Sequence, residues 1–324
     1  EIAKDLLEQI AFEARRSEFV DAKSGVSTRM SITAYENLIS TAERRLLITH
    51  DSNTNIRMGD FLGIITAMIG KIELVYEGEQ EGSNEVAFQL ITNAIKTLFP
   101  SYFPKIEKLI GVNQPPNYHP EGDVYTHVKL MLNLSTSSEI LPSFSRKELC
   151  YAILFHDISK PETFIIENDN GKERIRFLGH EVLGADVTDK LLKKFNISNK
   201  LRNRVVHVIR NHMKPFQAMD MKVSTLRRLM SEPTFDLLLE LHRLDGLGSR
   251  GLLESFTFLK KKKEEYTTTE LLPTPWITGN DLKLLGFKDG QKLGHTLEKI
   301  YDLQLEEKFH SKEELTSWVK NEFK

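Results

Sequence analysis

The chain has 324 residues, 40% apolar and 28% charged, with a net charge of −2: an ordinary globular balance with room for two or three cores and no whole-molecule attraction to nucleic acid or acidic membranes. Its single cysteine, Cys150, excludes an intramolecular disulfide and a thiolate zinc cluster, and suits a reducing compartment. No apolar stretch approaches the roughly 20 residues needed to cross a bilayer, Phe61 to Gly70 being the longest, so a cytoplasmic protein without a membrane span is expected.

The first sixteen residues, EIAKDLLEQIAFEARR, form an amphipathic helical pattern and lack the basic-then-apolar layout of a secretion signal; without an initiating Met, the sequence is expected to be part of a longer parent. A second helix is expected over Ser31–Leu47, where Ile32, Tyr35, Leu38, Ile39, Ala42 and Leu46 recur at three and four. Between them Asp21–Arg29 is a loop with Gly25, and Ser27 or Ser31 is placed to cap the second helix. From Thr97 to Val112 one or two short helices around Pro100 and Pro104 mark a domain junction. Gln114–Pro120 is a proline-stiffened approach to a helix capped by Asp123 and carrying Tyr125–Leu134.

Ser145 with Glu148 three residues on is a capping box, so a further helix should run from Arg146 towards His156, with Pro161 limiting its extent. Thr163–Phe177 places β-branched and aromatic residues on either side of Asn168-Asp-Asn-Gly171, a hairpin signal. Helical patterns then run over His180–Phe195, Asn199–His212, Val223–Met230, Thr234–Leu247 and Gly251–Tyr266. The lysine run Lys260–Lys263 reads better as a solvated face than as an RNA patch. Thr267–Pro275 is a linker to three short terminal helices over Asn280–Leu285, Lys292–Leu305 and Ser311–Glu322.

Chemistry concentrates around Leu149–Thr163, LCYAILFHDISKPET, where an apolar run that should bury Cys150 delivers adjacent His156 and Asp157 and then Lys160. Imidazole and carboxylate hold catalytic divalent ions, and a lysine suits an anionic substrate. Alone, the pair is weak, since a buried His-Asp hydrogen bond accounts for it equally well. Four more residues stand at or near the ends of separate helices: His127, His180, His212 and Asp245. Any one of these histidines by itself is more often a surface or core residue. Converged by a helical bundle, the four histidines and two aspartates would supply ligands for two divalent ions. His119 could stand near the site, though its prolines read as a structural turn; His207 and His242 read as supporting or core residues, and nothing places His295 or His310 near the chemistry.

The order H…HD…H…H…D resembles the HD-domain metal-dependent phosphohydrolases. From about residue 105 onward the chain is similar to the HD-containing C-terminal part of bacterial tRNA nucleotidyltransferases, in QPPNYHPEGDVYTH, FHDISKPET, FLGHE, VIRNHM, LHRLDGLGS, ITGNDLKLLGF and KLGHTLEKIYDLQLE. The resemblance implies that His127, His156, Asp157 and Asp245 hold one ion while Asp157 bridges to a second held by His180 and His212. The ions would be two among Mn, Fe, Co, Ni, Zn and Mg, activating a water for attack on phosphorus. Lys160 would hold a phosphate oxygen, with Arg210 a weaker substrate contact. Two departures stand out: Ser159 replaces the usual glycine, and the glycine-rich turn and paired aspartates of the nucleotidyltransferase head are not in this sequence, so nucleotide addition is not expected of it.

The first 100 residues resemble the helical lid of magnesium-chelatase-like AAA+ ATPases, through Gly25-Val-Ser-Thr-Arg29, the AERR of Ala42–Arg45 and GKIELVYEGEQEG from Gly70. That likeness makes Arg29 the nucleotide-sensing position. No GxxxxGK[ST] loop occurs, so ATP hydrolysis would need an ATPase core upstream in a longer parent, and Arg29 in this chain reads as an exposed or ion-paired loop residue. The expected protein is therefore mainly α: a lid-like segment over 1–100, an HD bundle with a small β-hairpin over 101–268, and a helical tail over 269–324. Its expected activity is metal-dependent hydrolysis of a nucleotide, cyclic-nucleotide or RNA-end phosphate ester. The alternatives are a tRNA-like RNA-binding module with a vestigial HD site, or a fusion coupling an ATPase lid to an HD domain.

Overall fold

Three- and four-residue apolar spacing dominates the chain, and the computed structural model, which describes residues 2–23, 25–50, 54–169, 172–266 and 271–322, follows it. Among these residues there are seventeen α-helices and one two-stranded antiparallel sheet, making the protein mainly α with a small hairpin. No described helix is long and apolar enough to cross a membrane. The chain divides into two compact units, Glu1–Glu107 and Lys108–Lys324.

The first unit contains α1 (Ile2–Arg16), α2 (Met30–Thr49), α3 (Ile65–Ile69), α4 (Tyr76–Glu81), α5 (Ser83–Tyr102) and α6 (Pro104–Glu107), with a 3-10 turn at Met58–Ile64. Leu6, Ile10 and Ala14 of α1, Leu38 of α2, Ile64, Met68, and Leu90 and Ala94 of α5 pack into one apolar core. Neither expected serine caps α2. Arg29 occupies the cap position, and Ser27 closes the turn before it by accepting from the Arg29 N–H at 3.2 Å. The Arg29 side chain is exposed. Arg45 of the AERR run has a structural partner: its guanidinium grips buried Asp60 through two hydrogen bonds of 2.9 and 2.8 Å, holding that carboxyl below its usual range. Pro100 does not break the helix as expected. It sits in the last turn of α5, where its missing N–H costs at most one terminal hydrogen bond.

The second unit carries the hairpin and the remaining helices: α7 (Val124–Ser135), α8 (Arg146–Phe155), the short α9 (Lys160–Thr163), strands β1 (Phe164–Asp169) and β2 (Lys172–Phe177), α10 (His180–Lys194), α11 (Asn199–Asn211), α12 (Val223–Ser231), α13 (Phe235–Gly248) and α14 (Glu254–Glu265). Asp123 caps α7, accepting from the Thr126 N–H at 2.8 Å while its other oxygen takes the Gly111 N–H at 2.6 Å. Ser145 and Glu148 form the expected capping box on α8, and Glu148 is further anchored by Arg204. The strands pair from Phe164↔Phe177 to Asp169↔Lys172; Asn170 and Gly171 of the turn lie outside the described residues. Cys150 is only half-buried, because the apolar face of α8 centres on Leu149, Ala152 and Ile153.

Of the linker, Thr267–Glu270 lies outside the described residues. Beyond it α15 (Gly279–Leu284), α16 (Gln291–Leu305) and α17 (Lys312–Glu322) bury a small core of Ile277, Leu282, Ile300, Leu315 and Val319. This tail docks on α12 through buried Arg227, which donates to the carbonyls of Leu271 and Leu305 and stacks over Tyr266. Gln304 fastens the tail's entry, accepting from the Trp276 N–H and donating to the Thr274 carbonyl.

Candidate metal centre

Helix ends supply the site. His156 follows the last residue of α8 and His212 the last of α11, and each turns its Nδ1 back onto the carbonyl three residues earlier, Ile153 at 2.8 Å and Ile209 at 2.7 Å. Both carbonyls belong to the last turn of the helix, so each histidine ties its ring to the end of its own helix. His180 opens α10, and its Nδ1 donates to the carbonyl of Phe177 at the end of β2, at 2.7 Å. A carbonyl only accepts, so in all three rings Nδ1 carries a proton, and it is Nε2 that presents a lone pair whenever the ring is neutral.

Those lone pairs converge on Asp157. Nε2 of His180 is 3.4 Å and Nε2 of His212 3.9 Å from Oδ1, while Nε2 of His156 is 3.1 Å from Oδ2, so the two carboxylate oxygens face different sets. His127, one turn into α7, stands 3.2 Å from Oδ1 of Asp245 on α13. The six side chains the sequence singled out as ligands are thus gathered in one place, all of them buried. Gly248 makes room beside them: a Cβ there would meet Met131 at 3.0 Å and the His127 ring at 3.5 Å.

The donor set fits divalent ions. Nε2 of His127 and of His156 are buried without a hydrogen-bond partner, although each lies close to a carboxylate oxygen. The Nε2 atoms of His180 and His212 face each other at 3.1 Å with no proton available to either from the Nδ1 tautomer. Two ligands about 2.1 Å from a shared ion stand about 3.0 to 3.4 Å apart, which is the spacing of these pairs. Two groups with this chemistry are His127, His156 and Asp157, and Asp157, His180 and His212.

Without an ion the charges settle unevenly. Burial opposes charge on Asp157, but His156 and Lys160 hold its carboxyl well below the usual range. Burial and the neighbouring His156 push His212 down to about 3, so it stays neutral. Burial works against the charge on His127 as well, yet the flanking carboxylates of Asp245 and Glu121 outweigh it and raise the ring to about 9; Asp245 is correspondingly lowered. The proton on His127 occupies the place an ion would take.

Lys160 is buried beneath the cluster, its Nζ 2.7 Å from Oδ2 of Asp157 and 2.7 Å from Oε1 of Gln114, over the face of Phe177. Arg210 is not brought to the cluster. Two residues before His212, it projects from the far side of α11 and pairs with Asp186 at 2.5 Å on an exposed face. His207 bonds Thr234 on the outside, and His242 is buried against Phe216. His119, which the sequence reads as a turn residue, does stand beside the cluster, its ring 5.0 Å from that of His127. Sequence reasoning passed over Glu121, whose Oε1 accepts from Nδ1 of His127 at 2.6 Å and of His119 at 2.8 Å, and over Gln114. A His-x-Glu placed just before a ligand-bearing helix was a usable signal for the first; nothing but the proximity of QPP marked the second.

Residues 124–247 match the HD domain family, a span containing all six expected ligands. The chain carries an HD domain. It is related to those of tRNA nucleotidyltransferases: the CC-adding tRNA nucleotidyltransferase of Thermus thermophilus is 27% identical over 221 residues, 67% of this chain and 49% of that protein. The multifunctional CCA protein of Acinetobacter baumannii is 30% identical over 152 residues, and that of Acinetobacter baylyi 32% over 139. These matches cover 46% and 43% of this chain and 33% and 30% of the respective relatives, so the chain spans half or less of the relatives' length. HD domains bind divalent metals, and the clustered histidines and aspartates are suited to that.

Proposed function

We propose that the HD domain is a divalent-metal-dependent phosphohydrolase or phosphodiesterase acting on a nucleotide, cyclic nucleotide or RNA-end phosphate ester. The observation that carries this reading is the set of three histidines whose Nδ1 protons are committed to backbone carbonyls and whose Nε2 lone pairs converge on one carboxylate. His127, His156, Asp157 and Asp245 would hold one ion, and Asp157, His180 and His212 the second. Bound there, the ions supply an acidified water and neutralise charge on phosphoryl oxygens. The protein's own part is orientation. Asp157 offers one oxygen to each side, the helix ends fix the imidazoles, and Lys160, gripped by Gln114, keeps a positive charge beside Oδ2, where it orients Asp157 and attracts an anionic ester.

Residues 1–100 read as a lid-like module, for which an ATPase core in a longer parent would be the partner, and 269–324 as a tail docked on the domain. The test uses the purified full chain. It should contain up to two ions by elemental analysis and hydrolyse 2',3'-cyclic nucleotides or a generic phosphodiester with Mn, Ni, Co or Mg added. Metal content unchanged in Asp157→Ala, together with no turnover by loaded protein on a broad panel of esters, would end the proposal.

A further inference from the structure

We infer that Glu121 is a positioning carboxylate that makes the His127 end of the centre the tighter of two ion positions, an inference resting on the two-ion reading above. The four histidines differ in what holds Nδ1. His156, His180 and His212 each donate to a neutral backbone carbonyl at 2.7 to 2.8 Å, the Glu181 carboxylate standing off at 3.5 Å from Nδ1 of His180, whereas Nδ1 of His127 is 2.6 Å from a carboxylate oxygen, with the Gly248 carbonyl farther off at 3.3 Å. A carboxylate behind an imidazole fixes the ring and makes the opposite nitrogen a stronger donor, and losing such a partner typically weakens metal binding about 10- to 100-fold.

Glu121 is built to stay in place. Its side chain is 8% exposed, and His119 donates to the same oxygen from the other side. The backbone around it is held by Gly122, whose φ of 121° lies in the glycine-favouring region, and by the Val124 N–H bonded to the Val112 carbonyl at 3.1 Å. Charge reinforces the asymmetry. The His127 end combines Asp157, Asp245 and, in hydrogen-bond contact behind the ring, Glu121, while the His180 and His212 end has Asp157 and, 3.5 Å behind His180, the more exposed Glu181.

The experiment loads the full chain with Mn(II), counts ions by elemental analysis and measures their affinities by chelator competition. Wild type should hold two ions of distinct affinity. Glu121→Gln should weaken the tighter one about 10- to 100-fold and leave the other unchanged, with unaltered circular dichroism. His119→Gln, which keeps the carboxylate but removes its second anchor, should weaken the same ion by a smaller factor, and decides the matter if Glu121→Gln does not fold. Wild-type affinities in both variants, or equal loss of both ions, overturns the inference while leaving the two-ion reading intact. Three ions in wild type would mark His119, Glu121 and His127 as a separate ion site and overturn it too. No bound ion in wild type would remove the metal reading and this inference together.

Discussion

The two units bury different things. In Glu1–Glu107 the described core is apolar, and its one buried charged residue, Asp60, is matched by Arg45. In the second unit the interior holds His127, His156, Asp157, Lys160, His180, His212 and Asp245 within a helical frame of similar make. Burying charge is costly unless it is paired or coordinated, so the first unit is organised for stability and the second gives up stability to hold a buried ionisable cluster. Substitutions should therefore separate: core changes in the first unit alter folding without touching metal content, and ligand changes in the second alter both.

The largest effect is expected at Asp157, the one residue shared by both ligand sets. Losing the ions removes several kcal/mol of transition-state stabilisation, so Asp157→Ala should lower turnover at least about 1,000-fold and empty the site. It also leaves the buried Lys160 with Gln114 as its remaining close polar partner, a loss of about 3–5 kcal/mol in stability, which Asp157→Asn should reduce by keeping an oxygen near Nζ. Leu38→Ala makes the opposite cut: a side chain at 0% exposure in the first core should cost about 2–5 kcal/mol by denaturant unfolding with metal content unchanged. A fall in bound metal in Leu38→Ala would erase the division.

Much of the second unit was legible because local rules and global packing agree there. Asp123, Ser145 and the strands flanking Asn168–Gly171 each obey short-range chemistry that the tertiary structure leaves intact, and the six expected ligands could be picked out by their order and by their places at or near the ends of separate helices. What escaped were residues defined by a long-range partner. Glu121 acquires its meaning from a histidine one helical turn past a cap, Gln114 from a lysine 46 positions later, and no periodicity reports either. Arg45 was picked up with a motif, but its partner Asp60 belongs to a 3-10 turn that apolar spacing does not reveal. Pro100 misled for the opposite reason: a local rule about helix interiors was applied to a last turn.

The charge trapped on His127 offers a milder way to sharpen the comparison. Its folded value of about 9 lies above the ordinary 6.5, so in metal-free protein the contribution is complete below pH 6.5 and is lost as the pH rises through 9. The carboxyls of Asp157 and Asp245, held low, act in the other sense, contributing above their usual range and losing effect only in strong acid. In metal-free protein the stability difference between wild type and His127→Gln should thus be about 3 kcal/mol larger at pH 6 than at pH 9.5 in urea unfolding, while the neutral His212 works in the opposite sense in both proteins. Bound metal displaces that proton, so metal-loaded wild type should lose this His127 contribution at low pH. Equal midpoints for wild type and His127→Gln at both pH values would show that the ring is not charged in the fold.

The smallest effect is expected at Arg210, and it tests whether proximity in sequence to a ligand means participation. Two residues from His212, Arg210 faces outward and pairs with Asp186 where both side chains are substantially exposed, 41% and 56%. Exposed ion pairs contribute about 0–1 kcal/mol, so Arg210→Ala should shift stability by no more than that and leave metal content, KM and kcat where they are. A raised KM with unchanged kcat would instead mean that substrate extends around the end of α11 to this guanidinium. The reactive region of the second unit would then reach the surface of the bundle, instead of ending at the helix termini that hold the histidines.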